Sequence, residues 1–156
     1  MLDRIDYKII DELQNNARLS NKDLARRVNL SPSSCHARVR ALQAAGVFRG
    51  FHATVEPEAL GIHQEALIFV GLSRHNREVV EAFVSEVTAL PEVVRLFNVS
   101  GQMDFVIQVV ARDTLHLRNF ALDHLASRPE VTRIETSLVF DQVGKVALPA
   151  LDAAKN

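Results

Sequence analysis

Arginine, lysine and serine side chains crowd one part of this sequence, and their chemistry suits contact with a polyanion. Between Arg18 and Arg49 there are seven Lys or Arg residues and a single acidic residue, Asp23, which gives a local net charge of +6. The whole chain has a net charge of -1, so the excess is local. Guanidinium and hydroxyl groups donate hydrogen bonds to phosphate oxygens, and guanidinium groups also pair with base edges. The pattern therefore predicts a nucleic-acid interface in this segment.

The helix that must position most of these groups is marked at both ends. Ser31 is a hydroxyl-bearing N-cap, Pro32 suits the first helical position, and Gly46 suits the left-handed residue that follows a helix. The spacing predicts one helix over 31–45. One sector of this helix is apolar and the opposite sector is small, polar and basic: Cys35, Val39 and Leu42 lie on the first, and Ser33, His36, Ala37, Arg40 and Ala41 on the second. Such an outer face can enter a major groove.

A second short helix precedes this one. Ser20 and Asp23 have the spacing of a capping box that opens a helix ending at Val28. Asn29 and Leu30 then make a tight connection to the next helix. Two short helices joined in this way match the helix-turn-helix pattern.

The first residues and the segment after the recognition helix complete the predicted unit. Apolar residues at helical spacing predict a supporting helix over 2–15, whose apolar face can close on the other two helices. Residues 47–53 are predicted to be extended, as a wing or an exit strand. The N-terminal part is therefore expected to be a three-helix, winged helix-turn-helix domain.

Contacts with duplex DNA are expected from the second and third helices and from the segment after them. The candidates are Ser20, Lys22, Ser31, Ser33, Ser34, His36, Ala37, Arg38, Arg40 and Arg49. Arg40 points away from the apolar sector and is a good base-reading candidate. Arg38 lies beside that sector, so a structural or phosphate-clamping role competes with base reading. For His36, contact with DNA and plain exposure to solvent both remain open.

From Glu65 onward, segments of strand character alternate with segments of helix character. The predicted strands are 66–72, 93–100, 104–111 and 131–140, and the predicted helices are 77–90 and 113–127. The sequences PEVVRL at 91–96 and PEVTRI at 129–134 occupy the same place in each half. Two βαβ halves in tandem indicate an α+β fold, a ferredoxin-like βαββαβ sheet with both helices on one face.

The two central strands of this sheet are apolar on both faces. In ALIFVGL (66–72) and FVIQVVA (105–111) the residues of both alternating sets are mostly hydrophobic. The helices cover one face only, so the other needs a second copy of the chain to keep it from water. We therefore expect a homodimer joined through the sheet.

The loop that joins the two halves holds a second group of residues with chemical potential. Gly101 lets the backbone approach a ligand closely, and the carboxylate of Asp104 can accept hydrogen bonds from an ammonium group. A tight turn with a capping carboxylate is the competing interpretation, and the chemistry alone favours it. Proline, glycine and acidic residues before the sheet mark a boundary, which predicts a helix-turn-helix domain at 1–53, a linker at 54–64, the sheet domain at 65–145 and a tail at 146–156.

Other function classes find little support in the sequence. It contains no GxSxG, no phosphate-binding glycine-rich loop, no HExxH and no paired cysteines, so no catalytic residue, metal or cofactor is predicted. Cys35 shares the apolar sector, which favours a buried thiol over a redox switch. The six histidines are scattered and are expected to be solvated. No apolar run reaches the roughly 18 residues of a membrane span, and the N-terminus lacks the apolar centre of a secretion signal, so we expect a cytoplasmic protein without membrane association.

The motifs LDRIDYKIIDELQ, SPSSCHARVRAL, GQMDF, LPEV, RIETSLVF and KVALP together resemble the leucine-responsive/asparagine-regulator (Lrp/AsnC) family of transcription factors. The resemblance runs from about Leu2 to Pro149. The family joins a helix-turn-helix to a ligand-sensing βαββαβ domain, forms dimers that often assemble into octamers or larger rings, and commonly responds to amino acids. The resemblance implies an effector pocket between subunits, formed by Ser100, Gly101, Gln102, Met103, Asp104, Thr136 and Ser137. Ala37 and Ala41 depart from the larger polar or basic residues frequent in the family.

The sequence thus predicts a sequence-specific DNA-binding regulator whose DNA binding or assembly responds to a small effector, with an amino acid as the expected class. An enzyme is the alternative, because siroheme decarboxylases resemble this family in layout while using the same frame for catalysis. A ligand-free architectural protein that wraps DNA is a third possibility. The basic, capped recognition helix discriminates against the enzyme, since a decarboxylase has no need of one.

Overall fold

The computed structural model describes residues 2–73, 76–144 and 147–151. The chain divides into two compact units, Met1–Thr54 with Val143–Asn156 and Val55–Gln142. The first unit holds three helices: α1 (Arg4–Asn15), α2 (Asn21–Arg27) and α3 (Pro32–Ala44). The second holds a 3-10 turn at Pro57–Leu60, strands β1 (Gln64–Leu72), β2 (Val93–Asn98), β3 (Phe105–Ala111) and β4 (Val131–Leu138), helix α4 (Arg77–Thr88) and helix α5 (Thr114–Phe120), which continues as a π-helical turn over Ala121–Ala126.

The core of the first unit forms where the apolar sectors of the three helices meet. Its buried members are Ile9, Leu13, Leu24, Ala25, Val28, Cys35 and Leu42. Cys35 is fully buried, and this burial raises the pKa of its thiol. A buried thiol with a raised pKa is unreactive, so Cys35 acts as a small core residue and the redox alternative is not supported.

Local hydrogen bonds fix the ends of the helices and the turn between α2 and α3. Gly46 has φ 70°, and its N–H bonds the carbonyl of Gln43 while the next N–H, of Val47, bonds that of Leu42. The same two-bond motif ends α2, where Asn29 takes the positive φ of 57°. Asparagine tolerates this left-handed conformation better than most side chains. The predicted helix-turn-helix geometry therefore follows from two repeated C-terminal motifs.

Two predicted elements differ from the structure. Residues 47–53 form no strand, because the N–H of Val47 closes the end of α3 and the described part of this unit offers no neighbouring strand for pairing. The helix predicted over 113–127 changes from α to π geometry after Phe120. Sequence periodicity averages over a helix and does not resolve a single wider turn.

The second unit is the predicted ferredoxin-like sheet. Its strand order is β2-β3-β1-β4 and all neighbours are antiparallel. On the helix side, alternate residues of the two central strands are buried: Ala66, Ile68, Val70, Leu72, Phe105, Ile107, Val109 and Ala111. On the other side, Leu67, Phe69, Val106 and Val110 are only half-buried. No helix among the described residues is long and apolar enough to cross a membrane.

Candidate nucleic-acid interface and effector site

The outward face of α3 carries the side chains expected to contact DNA. Ser33, Ala37, Arg40 and Ala41 are all exposed there, opposite the buried Cys35 and Leu42. Ser31 caps the helix by accepting the N–H of Ser34 at 3.2 Å. Arg40 forms no ion pair with any described residue, so its guanidinium is available to an incoming anion. The helix therefore presents one long cationic side chain among small ones.

Arg38 lies two positions away and has a different role. Its Nη1 donates to Asp3 Oδ2 at 2.6 Å and to Asp6 Oδ1 at 2.8 Å. Asp3 and Asp6 also cap α1 reciprocally. The pKa of Asp3 is lowered by the hydrogen bond from the N–H of Asp6 and by Arg38, and the two carboxylates raise the pKa of Arg38. Arg38 thus connects α3 to the start of α1. This contact corresponds to the structural role that the sequence left open for Arg38 beside base reading.

The serine hydroxyls are used within the protein. Ser31 Oγ donates to Ser34 Oγ at 2.8 Å and lies 3.1 Å from Ser33 Oγ. Ser20 Oγ accepts the N–H of Asp23 at 3.1 Å and donates to the carboxylate of Asp23 at 2.6 Å. The predicted capping box is therefore one-sided, since the acidic side chain takes the serine hydroxyl instead of the cap N–H. These hydroxyls cap the helix starts. The serine side chains are also exposed, so they remain accessible to a phosphate.

The local positive charge is smaller than the sequence count suggests. Arg26 pairs at 2.6 Å with Asp23, which the count of +6 already includes. The further reduction comes from carboxylates outside this segment, because Arg27 pairs with Glu12 of α1 at 2.7 Å and Arg38 pairs with Asp3 and Asp6. Lys22 and Arg49 are exposed and form no ion pair within the described ranges. Together with Arg40 they are among the cations of this segment that keep the local charge positive.

His36 is exposed on the flank of α3 and lines a shallow hollow. The other walls of this hollow include Leu13, Leu24, Val39 and Phe51. Its ring therefore adjoins the apolar seam between the helices and the segment that leaves them. His36 lies at the edge of the outward face, and both of its predicted roles remain open.

In the second unit, Asp104 is built into the sheet. Its Oδ2 accepts the N–H of Leu72 at 2.7 Å, its own N–H donates to Val70 at 2.9 Å, and its carbonyl accepts the N–H of Val99 at 3.0 Å. The register of β1 against β4 shifts between Gly71 and Leu72, so the carboxylate serves an N–H at an irregular point of the strand. This is the capping role that loop chemistry alone favoured.

The other candidate effector residues are spread over the sheet. The loop 100–103 adjoins β1 near Gly71. Within this loop, which contains Ser100, Gln102 and Met103, Gly101 has φ 145°. Thr136 pairs with Ile68 and Ser137 with Leu67, so these two side chains point to opposite faces. Ser137 lies on the outer face and Thr136 on the helix side. Three to four residues of β1, about 10 Å at 3.3 Å per residue, separate this pair from the loop. One chain alone does not bring the predicted set together.

Two groups of contacts were not anticipated from the sequence. The capping pair Asp3 and Asp6 has the i, i+3 spacing that could have signalled a partner for Arg38. His116, expected to be solvated, is half-buried with its Nε2 3.1 Å from Glu92 Oε1. Its position three residues after the N-cap Asp113 carried no signal of that distant partner.

Comparison with known proteins matches both units. The profile of the Lrp/AsnC ligand binding domain matches residues 65–146, and that of a winged helix-turn-helix DNA-binding domain matches residues 2–49. The HTH-type transcriptional regulator AldR of Mycolicibacterium smegmatis is 38% identical, covering 91% of this chain and 83% of the relative. The leucine-responsive regulatory protein of Rhizobium meliloti is 37% identical over 91% of each chain.

Solved structures match over nearly the whole length. A transcriptional regulator from Neisseria meningitidis, solved in complex with L-methionine, superposes with a TM-score of 0.90 at 35% identity and covers 96% of this chain and 97% of that one. An AsnC family transcriptional regulator from Agrobacterium tumefaciens superposes with a TM-score of 0.88 at 27% identity, covering 97% and 98%.

Proposed function

This chain belongs to the Lrp/AsnC family of transcriptional regulators, and from that premise we propose how it binds DNA, assembles and senses an effector. Its relatives are DNA-binding regulators, so it is a helix-turn-helix transcriptional regulator, and the siroheme-decarboxylase alternative is not supported. Because its partner is DNA, we place the protein in the cytoplasm.

The outward face of α3 reads duplex DNA from the major groove. The observation that carries this proposal is the exposed, unpaired guanidinium of Arg40 beside the small side chains of Ser33 and Ala37. Arginine recognises guanine O6 and N7 through two hydrogen bonds, and an alanine methyl can pack on the methyl group of thymine. Lys22 and Arg49 contact phosphates on either side. Arg38 supports the helix from behind and makes no base contact.

The outer face of the sheet joins two copies into a homodimer. The support is the half-buried apolar group Leu67, Phe69, Val106 and Val110, which no element in the described part of the same unit covers. An isologous pairing of these faces gives two recognition helices for a two-fold symmetric operator, with half-sites separated by about one helical turn or a multiple of it. The dimers assemble further, into an octamer or another closed oligomer.

The effector is an amino acid bound where subunits meet. The neisserial relative carries L-methionine, which supports this ligand class. Its carboxylate is received by the backbone and amide donors of Gly101 and Gln102, with Ser100 and Met103 beside it. The neighbouring subunit adds the hydroxyl of Ser137 from the outer face of β4, with Thr136 next to it on the helix side. Asp104 positions the loop. A pocket built from two subunits has different affinities in different assembly states, which is how a ligand can change DNA binding.

A selection from random duplexes, followed by gel shifts, tests DNA reading by this face. We expect enrichment of a two-fold symmetric site in which a guanine and adjacent thymines recur, and replacement of those thymines by deoxyuridine should weaken binding because the methyl groups are lost. Affinity should also fall steeply with salt, with a slope near -0.9 per phosphate contact. Unchanged affinity for the deoxyuridine duplex would exclude methyl contacts by Ala37.

Calorimetry with each of the common amino acids tests the effector proposal. We expect at least one apolar amino acid, with L-methionine as the first candidate, to bind and to shift the DNA affinity or the oligomer size. Its methyl ester and its decarboxylated amine are matched controls that lack the carboxylate, and both should fail to bind. Equal binding of these controls would contradict a site that clamps the carboxylate.

A further inference from the structure

The last described residues of the chain form one wall of a groove in the DNA-binding unit. Gln14 on α1 pairs with both backbone groups of Leu148: its Nε2 donates to the carbonyl of Leu148 at 3.2 Å, and the N–H of Leu148 donates to its Oε1 at 2.8 Å. The groove has a volume of about 650 Å³, and its other walls are mostly apolar or aromatic. They include Tyr7, Ile10, Val47 and Phe48.

The geometry is that of main-chain recognition. A carboxamide that donates to the carbonyl and accepts from the N–H of one residue makes the same two bonds that a neighbouring strand makes in an antiparallel sheet. The side chain of Leu148 is 72% exposed, so the segment is held by its backbone and not by burial of this leucine. Pro149 has a fixed φ and no N–H, which leaves the pair at Leu148 as the bonded register.

We propose that α1 and the segment 47–52 form a docking site for an extended peptide, and that its occupant is the chain's own C-terminal segment, residues 147–151. This segment follows β4 in the sequence, and β4 carries Thr136 and Ser137. Docking therefore gives the sheet a second, hydrogen-bonded attachment to the DNA-binding unit through the chain that follows β4, in addition to the linker that precedes β1. That consequence for sensing rests on the proposed function, whereas docking itself does not.

A single tryptophan can report docking, because the natural chain contains none. In the full-length Ala150→Trp protein we expect blue-shifted emission and acrylamide quenching about threefold weaker than in the same protein carrying Gln14→Met, which removes both bonds while keeping the side-chain length. Val143→Trp is the matched control, because Val143 is 92% exposed, lies before the segment 147–151 and does not line the groove, whereas Ala150 does. Its quenching should be equal in both backgrounds. Equal quenching at position 150 in both backgrounds would overturn the proposal.

A second pair of variants guards against misfolding of the Gln14→Met chain. Leu148→Pro removes only the N–H that Gln14 accepts, and Leu151→Pro makes the same change three residues later, where the backbone N–H makes no bond among the described residues. Only Leu148→Pro should expose the tryptophan at position 150. Circular dichroism checks that each variant keeps its helices, and equal exposure from both prolines would contradict docking at Leu148.

Mixed oligomers identify the chain that supplies the segment. Ala150→Trp protein is exchanged into a large excess of Gln14→Met chains that carry no tryptophan. If each segment docks on its own chain, the tryptophan stays protected after exchange. Loss of protection would show docking on a neighbouring subunit and would overturn the assignment to the same chain. None of these readouts involves DNA or an effector, so failure here and failure of the proposed function are distinguishable.

Discussion

The DNA-reading face of α3 and the predicted effector residues of the sheet differ in how complete they are within one chain. The first is assembled from one helix whose caps, turn and buried sector are all local. The second is divided between the loop 100–104 and the edge strand β4, with Thr136 and Ser137 on opposite faces. A helix face is fixed by a period of 3.6 residues, whereas a pocket between strands depends on register and on neighbouring chains. The difference teaches that the proposed DNA-reading face is complete within one chain, whereas the proposed effector site needs residues of a second chain.

The largest expected effect comes from breaking the surface that would complete the sensor. Phe69 lies in the middle of the outer sheet face, opposite Val106 and Glu135 on the neighbouring strands. Phe69→Asp places a charge where we propose that two sheets pack, and burying an unpaired charge is costly. Light scattering or sedimentation should show at least about a 100-fold rise in the dimer dissociation constant, about 2.8 kcal/mol at 1.4 kcal/mol per tenfold.

Leu115→Asp is the control for that variant. Leu115 is 62% exposed on the helix side of the same unit, so its replacement should leave the dimer intact. Dissociation by both variants would locate the interface elsewhere, and dissociation by neither would remove the sheet-to-sheet dimer.

The second effect distinguishes the roles of Arg38 and Arg40, the two arginines of α3. Arg40→Ala should weaken DNA binding by about 1–3 kcal/mol if Arg40 reads a base, and should leave the melting temperature unchanged. Arg38→Ala should lower the melting temperature and leave the affinity for DNA nearly unchanged. It removes the contacts with Asp3 and Asp6 and no base contact. Gel shifts and thermal unfolding of both variants measure the contrast. Arg118→Ala, an exposed change in the sheet unit, should alter neither quantity.

The third effect tests whether Asp104 belongs to the fold or to the ligand. Asp104→Ala leaves the N–H of Leu72 without the acceptor at 2.7 Å, and an unsatisfied buried donor costs about 1–3 kcal/mol. Urea unfolding should show that loss in the free energy of unfolding. Asp104→Asn, which retains an acceptor oxygen, should have a stability between those of the natural protein and Asp104→Ala. Asp141→Ala is an exposed control. Loss of effector binding with undiminished stability would instead show that the carboxylate of Asp104 contacts the ligand.

Much of the fold could be predicted from the sequence, because its signals are local. Ser20, Ser31 and Gly46 marked helix ends that the structure confirms, and the repeated PEVVRL and PEVTRI segments predicted the two βαβ halves that form the four-stranded sheet. The partners of Arg38 and Asp104 were left as alternatives, since each lies more than 30 residues away in the sequence. Composition carries no information on such distant pairings. The Gln14 contact with Leu148, 134 residues apart, left no sequence signal at all.

The smallest expected effect is a pH dependence that belongs to the back of the recognition helix. The hydrogen bond from the N–H of Asp6 and the pairing with Arg38 lower the pKa of Asp3 below its ordinary value of 3.8 in the folded protein. A carboxylate with a depressed folded pKa stabilises the fold above its unfolded pKa, and this stability is lost as the pH falls through the folded value. The contribution is therefore full at pH 7, begins to fall near about pH 4, the ordinary pKa of an aspartate, and is gone only below the lowered pKa that Asp3 has in the folded protein.

Other carboxylates protonate over the same range, so the measurement must isolate this one. The melting temperature is compared between pH 7 and pH 3 for the natural protein and for Arg38→Met, which removes the guanidinium and keeps the bulk of the stem. The natural protein should lose slightly more on acidification, because the variant has already lost the Arg38 part of the shift and keeps only the Asp6 part. Arg118→Met should behave as the natural protein does. An identical acid sensitivity in all three would mean that the Asp3 and Arg38 contact adds no net stability, as is common for exposed pairs, and that the helix caps and the buried core alone hold α3 in place behind its reading face.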